Sequence, residues 1–533
     1  MTTPDTGKTA DISYDDIPYP SYPFPYTRPE HLRTIGQLFG MTPPAIETAR
    51  VLDIGCAEGG NMLNFAETYP KSYSLGVDLS KVQIDNGNII INALGFTNIE
   101  LKAMSITDLD ESVGKFDYII CHGVFSWVPD FVKDKILEIT KKLLSPNGIL
   151  FISYNTLPGW NMQKSIREMM LFHANTFTGA HNKFQQAKLF LDFVNESLEG
   201  TTTPYAKFLQ EETKFLSVQN ESYLIHEYLG EENTPFYFSK FMEMAAANNL
   251  NYLGDSNLST MYLGNLPAKA SEKLQAVNDI VRTEQYMDFI NNRKFRTTIL
   301  CHKEVALNRN IELNKLKDFY TVFLIVPAVL ENNIDLTNEK EIIGFHYNNS
   351  EQPILSTASP IMKAIFYVYS ENTGNPLSME EIAKRAFEKL GKFEINTYIQ
   401  ELSSIMAKLV LQGFIQLYST KPATVFNISA KPKVSKLVRY QAQHASTNIE
   451  FVTNHINSMV QLQLHEKFVL QMLDGKNTIE QIKNKITEKL ISGELIASGP
   501  DGKISDESLL KQFAQQIVAT SLEKFRTNYL LVE

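Results

Sequence analysis

Strand-like and helix-like patterns alternate along residues 50–155, and this alternation limits the possible folds more than any other feature of the chain. Short apolar runs that end in glycine or a polar residue predict buried strands, and amphipathic stretches of about ten to fifteen residues predict the helices between them. The predicted strands are VLDIG, SLGVDLS, IELKAM, FDYIICHG and ILFISYN. Parallel strands joined by right-handed helical crossovers predict a doubly wound, Rossmann-like α/β sheet that is covered on both faces.

The remainder of the chain has a different pattern. Residues 161–300 contain few strand signals and several amphipathic stretches, which predicts a mainly helical middle domain. Two later segments share the order helix, turn, capped helix, helix and strand, which is typical of winged helices. Predicted capping boxes at Ser378 and Glu381, and at Thr478 and Gln481, support this order. The third helix of the first unit offers one lysine and no arginine, so packing or dimerisation is favoured over DNA binding.

Charge and cysteine content narrow the chemistry. The chain has 533 residues and a formal net charge of −10, which disfavours a general polyanion binder and predicts no nucleic-acid partner. Its three cysteines form no CxxC pair, so neither a thiolate zinc site nor a disulfide framework is expected. The polar N-terminus does not resemble a signal peptide, and the longest apolar run is too short for a bilayer. We therefore expect a cytoplasmic protein with no membrane span.

An arm rich in tyrosine and proline, residues 11–27, precedes the sheet. Prolines fix φ and remove backbone donors, so the arm is predicted to be extended. Its aromatic side chains need a surface to pack on, which is either the arm's own domain or a ligand site that the arm covers. Thr27 is predicted to cap the helix that follows, with Glu30 completing a capping box.

The strongest chemical signal is the glycine-rich turn from Asp53 to Asn61, DIGCAEGGN, directly after the first strand. Such turns bind ligands at the carboxyl edge of a parallel sheet, because glycine lets the backbone approach a ligand closely. Asp78 ends the second strand, where an acid can accept hydrogen bonds from both ribose hydroxyls. NAD is disfavoured because the turn lacks the GxGxxG order and Asp53 would repel a diphosphate. The same carboxylate would favour an ammonium group, which S-adenosylmethionine carries without any phosphate.

The motifs resemble those of a known enzyme class. The segments VLDIGCAEGG, GVDLS and FDYIICHGVFSWVP resemble the motifs of class I S-adenosylmethionine-dependent methyltransferases. The segments YPSYPFPYTRPEHLRTIGQLFG, CHGVFSWVP and SYNTLPGW are similar to methyltransferases that carry a methyltransferase regulatory domain. Within that subgroup, the length and the winged-helix-like tail resemble the rickettsial protein-lysine methyltransferases of outer membrane protein B. The methyltransferase motifs cover about residues 14–165, whereas the middle and the tail match by layout.

The resemblance implies an enzyme that transfers methyl groups from S-adenosylmethionine to lysine ε-amines of a surface protein antigen by in-line displacement. The product would be S-adenosylhomocysteine, and no metal is expected. Its partner would be a lysine-containing protein substrate, with outer membrane protein B as the candidate, and a homodimer is left open. Two alternatives also remain open: a small-molecule methyltransferase with the same cofactor, and a non-catalytic regulatory protein that binds S-adenosylmethionine.

The resemblance and the composition shifts together predict six segments. They are an aromatic and proline-rich arm with the first helix (1–40), a methyltransferase domain that binds S-adenosylmethionine (41–175), a mainly helical, regulatory-like middle domain (176–300), a connecting segment (301–360), a winged-helix-like unit (361–440) and a second helical or winged-helix-like unit (441–533).

Each cofactor-binding residue is implied by its position in a family motif. The implied set is Asp53, Gly55 and Ala57 at the methionine end, Asp78 on the ribose, Leu79, Ser105 and Ile106 around the adenine, and His122 with Gly123 beside the methyl group. Ser105 stands where the family commonly has an aspartate, so a carboxylate bond to the adenine amine would require Asp108 to reach the site. Ala57 replaces the second glycine of its motif, and its methyl group can be accommodated if φ is negative.

The substrate side needs groups that position and desolvate a lysine. The lysine must lose its proton first, and an apolar aromatic channel lowers its pKa while aromatic faces attract the cationic methyl donor. The catalytic candidates are Tyr154, Trp160, His122, Asn155 and Trp127, and further aromatic candidates are Tyr14, Tyr22, Phe24, Tyr26 and Phe125. His122 is either a general base or a hydrogen-bonded core residue. Trp127 could instead be a core residue, and Asn155 could carry a backbone cap.

Overall fold

The structure is a computed structural model. It describes residues 20–230, 232–347, 350, 352–391, 395–444, 451–499 and 502–532. Most of the predicted arm, including Tyr14, therefore lies outside the described residues.

A seven-stranded sheet has the strand order β3-β2-β1-β4-β5-β7-β6. Its strands are β1 (Arg50–Ile54), β2 (Tyr73–Asp78), β3 (Ile99–Ala103), β4 (Phe116–Cys121), β5 (Leu144–Asn155), β6 (Leu250–Asp255) and β7 (Phe295–His302). The first five strands run parallel, so their carboxyl ends share one edge of the sheet. Strand β7 runs antiparallel to both of its neighbours.

Side chains from alternate positions of the central strands pack into separate hydrophobic clusters. Leu52 and Ile54 of β1 belong to one cluster, and Val51, which precedes them, belongs to another. The same alternation occurs in β4 and β5, so both faces of the sheet are buried. The helices around the first five strands are α1 (Pro29–Leu38), α2 (Leu63–Thr68), α3 (Lys81–Leu94) and α4 (Asp130–Leu143). These elements confirm the doubly wound α/β arrangement.

The middle region is helical but also completes the sheet. Its helices are α5 (Gly159–Ala174), α6 (Ala180–Ser197), α7 (Pro204–Ser217), α8 (Glu221–Leu224), a π-helical turn (Ile225–Leu229), α9 (Phe238–Ala247), α10 (Ala268–Gln275) and α11 (Ile280–Asn291). Strands β6 and β7, which the sequence did not predict, lie in this same region and run antiparallel to each other, with β7 antiparallel to β5, so the complete sheet is mixed. Short polar–apolar alternations such as those of β6 and β7 were hidden among the stronger helical signals.

The C-terminal half contains two helical units with small antiparallel sheets. Its helices are α12 (Pro360–Glu371), α13 (Met379–Lys389), α14 (Ile395–Leu411), α15 (Lys436–His444), α16 (Leu464–Met472), α17 (Ile479–Ile491) and α18 (Glu507–Thr527). Its strands are β8 (Tyr320–Val322), β9 (Val326–Pro327), β10 (Ile343–His346), β11 (Leu355–Thr357), β12 (Leu377–Ser378), β13 (Gln416–Tyr418), β14 (Phe451–Thr453), β15 (Met459–Gln461), β16 (Ser498–Gly499) and β17 (Gly502–Lys503). They pair as the sheets β11-β10-β9 and β12-β8-β13 and the hairpins β14-β15 and β16-β17.

The predicted starts of two of these helices are confirmed. Ser378 and Glu381 form a capping box at α13, and Thr478 and Gln481 form one at α17. The strand predicted at the C-terminal end, NYLLVE, does not form as a regular strand. In its place, Leu531 makes an isolated antiparallel bridge to Val434. Among the helices that the structure describes, none is long and apolar enough to cross a membrane.

Candidate active site

The turn between β1 and α2 carries the glycine-rich motif at the carboxyl edge of the sheet. Gly55 has φ 76°, and a Cβ atom there would lie 2.3 Å from Cγ2 of Val124, so the position requires glycine. Ala57 has φ 49°, which contradicts the expected negative φ. The backbone of Ala57 is therefore held in the left-handed region, where its methyl group imposes a conformational cost of about 1–2 kcal/mol.

The two predicted cofactor carboxylates flank this turn. Asp78 accepts hydrogen bonds from the backbone N–H of Ala57 and of Ser80, each at 2.9 Å. These two bonds leave the remaining lone pairs of the half-buried carboxylate available for ribose hydroxyls. Asp53 lies buried on β1, and burial, reinforced by the nearby charge of Asp78, raises its pKa to about 7.

Asn61 connects the turn to two other parts of the chain. Its Nδ2 lies 3.5 Å from Oδ2 of Asp53, and its Oδ1 accepts hydrogen bonds from the Phe24 N–H (3.1 Å) and the Thr27 hydroxyl (2.9 Å). Thr27 therefore does not cap α1 as the sequence predicted, because its hydroxyl is used at the glycine-rich turn. Helix α1 begins at Pro29 after Arg28, which makes no side-chain capping bond.

The described part of the arm, residues 20–27, lies on this turn. The Gly60 N–H donates to Oγ of Ser21 at 2.9 Å, and a Cβ atom on Gly60 would lie 2.5 Å from the Ser21 carbonyl oxygen. The rings of Phe24 and Tyr26 contact the imidazole of His122, with centroids 4.1 Å and 5.5 Å away. The arm therefore packs against both the cofactor turn and the end of β4.

His122 is half-buried just after β4. In addition to the two rings of the arm, its imidazole contacts the rings of Phe151 and Phe295. Its Nδ1 hydrogen-bonds Oγ of Ser153 at 2.7 Å, and its Nε2 lies 3.1 Å from the Tyr26 hydroxyl. Burial lowers the pKa of His122 to about 4. The imidazole is therefore neutral at physiological pH and is a weak proton acceptor, which weighs against the role of general base.

The predicted adenine side is more open. Leu79 is 76% exposed directly after β2. Ser105 and Ile106 are half-buried after β3, and the Ser105 hydroxyl accepts a hydrogen bond from the Thr107 N–H at 3.2 Å. Asp108 is exposed on the same short turn. Gly123 is exposed beside His122, with φ 69°.

Two of the substrate-side candidates lie together. The indole rings of Trp127 and Trp160 meet edge to face with centroids 6.2 Å apart, and Trp160 also contacts Tyr228 of the π-helical turn. Asn155 at the end of β5 donates its backbone N–H to Oγ of Ser126 and its Nδ2 to Oδ1 of Asn233. The structure thus brings the loops after β4 and β5 together with the middle region.

Tyr154 is placed differently. It is 1% exposed, its hydroxyl hydrogen-bonds Oγ1 of Thr298 at 2.9 Å, and its ring stacks on Phe241. Burial holds its pKa well above the usual range. Phe125 is also fully buried in this cluster, against Phe236 and Phe241. This position favours a core role for both rings over the substrate role expected from the sequence.

The donor set fits S-adenosylmethionine. A buried carboxylate at Asp53 can accept from an ammonium group, Asp78 can accept from a ribose, and glycine at position 55 lets the turn pass close to the Val124 side chain. Within the described residues, no group of three or more histidine, cysteine, aspartate or glutamate side chains could hold a metal ion. The three cysteines are buried and unpaired.

Sequence reasoning missed several residues of this region. Asn61 was placed at the end of the motif without a role, and Ser153 and Asn457 were not considered. Asn457 lies 396 residues from Asn61 along the chain and donates to its Oδ1 at 3.0 Å. A pattern read along one strand and one turn carries no signal for such a contact.

Three protein-family models match the chain. Residues 47–205 match a methyltransferase domain, residues 220–302 match a predicted methyltransferase regulatory domain, and residues 430–530 match the C-terminal winged helix domain of PKMT. These matches confirm the predicted resemblance to a methyltransferase with a regulatory domain and a winged-helix tail.

Similar proteins extend along almost the whole chain. The structure of PKMT2 from Rickettsia typhi is 56% identical, covers 97% of this chain and 100% of that one, and superposes with a TM-score of 0.91. A second structure of PKMT2, in complex with AdoHcy (S-adenosylhomocysteine), matches to the same extent. Protein RP789 of Rickettsia prowazekii is 46% identical over 528 residues, which are 99% of this chain and 95% of RP789. The chain therefore belongs to the family of methyltransferases that includes PKMT2 of Rickettsia typhi.

Proposed function

We propose that this protein is an S-adenosylmethionine-dependent protein-lysine N-methyltransferase, which methylates lysine ε-amines of a surface protein by in-line displacement. The observation that carries the proposal is the likeness to PKMT2, which extends over 97% of the chain at 56% identity and includes a structure with AdoHcy. The carboxylates of Asp53 and Asp78, placed on either side of the glycine-rich turn, support the same cofactor.

When bound, S-adenosylmethionine supplies an electrophilic methyl group on a sulfonium. The residues proposed to hold it are Asp53, Gly55 and Ala57 at the amino-acid end, Asp78 at the ribose, Leu79, Ser105 and Ile106 at the adenine, and His122 with Gly123 near the methyl group. Asp53 and Asp78 accept hydrogen bonds from opposite ends of the molecule. The arm, through Ser21 and Phe24, excludes water from this turn.

On the substrate side, Trp127 and Trp160 are proposed to orient the lysine side chain. Their π-faces attract its cationic head, and their apolar surroundings favour the neutral amine that attacks the methyl group. Because the pKa of His122 is lowered to about 4, the lysine proton is released to water, and His122 keeps a neutral, fixed ring beside the reacting atoms. Tyr154 and Asn155 act as positioning residues of β5 and its loop.

The finer assignments belong to the same proposal. Outer membrane protein B is the candidate substrate, since the resemblance points to methyltransferases of that antigen. A cytoplasmic location fits an enzyme that modifies a surface protein before its export. A homodimer is proposed through the helical part of the chain, and light scattering of the purified protein tests it.

A methylation assay tests the function. The purified full chain is incubated with S-adenosylmethionine and outer membrane protein B, and mass spectrometry follows ε-methyl-lysine. The wild type is expected to methylate the protein, and Asp78→Asn is expected to lose at least about tenfold in kcat/KM through weaker ribose binding. Asp192→Asn, an exposed aspartate on α6, is the matched control and should behave as wild type.

The assay also separates the alternatives. Methylation of small amines without any protein product would favour a small-molecule methyltransferase. Binding of S-adenosylhomocysteine without transfer to any lysine-rich protein would favour a regulatory protein. Failure to bind either nucleoside would refute the proposal as a whole.

A further inference from the structure

Asn457 belongs to the C-terminal winged-helix region but lies against the glycine-rich turn. It occupies the tight turn between β14 and β15 with φ 57° and is 1% exposed. The side chain of Asn454 fixes this turn, because its Oδ1 accepts hydrogen bonds from the N–H groups of Ile456 and Ser458. The conformation of the turn that carries Asn457 is therefore stabilised within its own hairpin.

The orientation of the Asn457 amide follows from its partners. Its Nδ2 donates to both oxygens of Asn61, to Oδ1 at 3.0 Å and to the backbone carbonyl at 3.2 Å. A carbonyl oxygen can only accept, so the nitrogen must face Asn61. The Oδ1 atom of Asn457 is then buried with no hydrogen-bond partner among the described residues. Such an orphaned acceptor costs about 1–3 kcal/mol unless a ligand or water satisfies it.

A single residue, Asn61, connects the Asn457 amide to the predicted cofactor carboxylate of Asp53. The Oδ1 of Asn61 also accepts from the Phe24 N–H, so its Nδ2 must face Asp53. Asn457, Asn61 and Asp53 thus form a line of hydrogen-bonding groups from the C-terminal region to the end of β1. A ligand that satisfies the free acceptor here must carry a hydrogen-bond donor, and an ammonium group, which the Asp53 carboxylate would attract, is such a donor.

The C-terminal region is held firmly at this place. The carboxylate of Glu67 on α2 accepts hydrogen bonds from the N–H groups of Lys436 and Leu437 at the start of α15, at 2.6 Å and 3.0 Å. Leu437 is buried in the cluster of α2 and α3. Tyr22 of the arm contacts Phe451 of β14, with ring centroids 5.7 Å apart. The hairpin that carries Asn457 is therefore anchored on both sides of the turn.

We infer that Asn457 is a cofactor-positioning residue by which the C-terminal region completes the pocket for the α-ammonium end of S-adenosylmethionine. It holds Asn61, and through Asn61 the Asp53 carboxylate, and its free Oδ1 accepts from the ammonium group. The inference rests on the proposed function for the identity of the nucleoside. It gives the winged-helix region a role in cofactor binding, beyond any contact with the protein substrate.

Calorimetric titration with S-adenosylhomocysteine tests the inference. Asn457→Gly removes the amide but suits the positive φ, so the hairpin keeps its backbone. The variant is expected to bind at least about tenfold more weakly than wild type and to raise KM for S-adenosylmethionine more than it lowers kcat. Asn249→Gly is the matched control, since Asn249 has φ 55° in an exposed turn, and it should bind as wild type.

Hydrogen exchange on the wild type gives a second, independent measurement. Amides of residues 451–461 should exchange more slowly when S-adenosylhomocysteine is added, although they belong to the C-terminal region. If the wild type binds the nucleoside but Asn457→Gly binds equally well, or if these amides do not respond, the inference is wrong. If the wild type does not bind at all, the proposed function itself fails.

Discussion

Ala57 adopts a left-handed backbone in the glycine-rich turn, and its N–H donates to Asp78 in that conformation. Glycine would adopt this φ without steric cost, whereas a Cβ atom is crowded by the carbonyl group. The conformation persists because the neighbouring bonds over-determine it: the Gly55 N–H donates to the Val77 carbonyl, and the Gly59 N–H donates to the Cys56 carbonyl. The turn thus stores strain at the point where the cofactor is proposed to bind.

Ala57→Gly should increase the free energy of unfolding by about 0.5–1 kcal/mol. The relief of a left-handed penalty of about 1–2 kcal/mol exceeds the entropic cost of glycine, about 0.5–1 kcal/mol. Urea unfolding measures the difference. Ala246→Gly on the exposed face of α9 is the control and should destabilise the protein by about 1 kcal/mol. Equal destabilisation by both changes would contradict the strain at Ala57.

Binding of S-adenosylhomocysteine should weaken below pH 7. Burial raises the pKa of Asp53 to about 7, and the ammonium group of the ligand prefers the ionised carboxylate. The free protein must therefore lose a proton to bind, and Kd should rise about tenfold per pH unit as the pH falls below 7. Calorimetric titrations at pH 6 and pH 8 measure this dependence. Asp53→Asn should bind more weakly and show no such change between the two pH values.

The ionised form of Asp53, which favours ligand binding, has the opposite effect on the stability of the fold. The folded pKa of Asp53 is raised above the unfolded value of about 3.9, so the folded protein holds an extra proton between pH 4 and pH 7. Its contribution to stability therefore falls as the pH rises through that window. The buried carboxylate thus lowers the stability of the fold, as expected for a residue whose role is in binding.

At the scale of elements, the insertion of β7 between β5 and β6 gives the sheet its mixed character. A buried group of charges lies where these strands meet α11. Arg296 of β7 is fully buried and donates to both oxygens of Asp288, at 2.8 Å each, and to Glu284 at 2.9 Å. Its guanidinium also lies 3.8 Å from the ring centroid of Phe238. These contacts hold α9 and α11 against β7, a strand that the regulatory-like region adds to the sheet.

Arg296→Met should destabilise the protein by about 3–5 kcal/mol. The change leaves the carboxylates of Glu284 and Asp288 buried without their main cation, and burial already raises the pKa of both. Urea unfolding followed by circular dichroism measures the loss. Lys240→Met, which removes an exposed pair with Glu243, serves as the comparison and should cost less than about 1 kcal/mol. A similar small cost at Arg296 would mean that the charge group contributes little to the fold.

At the scale of the whole molecule, the C-terminal region docks onto the methyltransferase domain through α15. The Glu67 carboxylate lies at the N-terminus of this helix, where unpaired N–H groups and the helix dipole favour negative charge. Leu437 and Tyr440 add apolar contact with α2 and α3. The cofactor turn leads directly into α2. Helix α2 therefore contributes both to the docking of the C-terminal region and to the cofactor site.

Glu67→Gln should destabilise the folded chain by about 1–2 kcal/mol. A glutamine oxygen can accept from one N–H group, but its NH₂ group faces the other donor, and the charge that favours the helix terminus is lost. Differential scanning calorimetry measures the shift in the transition that involves the C-terminal region. Glu199→Gln, at an exposed glutamate, should leave the transition unchanged. An unchanged transition in Glu67→Gln would show that the carboxylate does not hold α15.

Much of the site could be predicted because its residues follow strand ends. Asp53 and Asp78 end neighbouring parallel strands, and that pattern alone places them at one edge of the sheet. Thr27 and Tyr154 could not be placed in this way. A capping signal and a strand-end position are local, but the hydroxyl groups found partners at Asn61 and Thr298, on other elements.

The sequence by itself determined the order of strands and helices in the parallel part of the sheet, the helix starts at Ser378 and Thr478, and the glycine-rich turn with its two acids. These features depend on periodicity and on neighbours within a few residues. Only the tertiary structure decided that β6 and β7 close the sheet and that Asn457 meets Asn61. Contacts between residues hundreds of positions apart are selected by the packing of whole elements, and no local pattern in the chain encodes them.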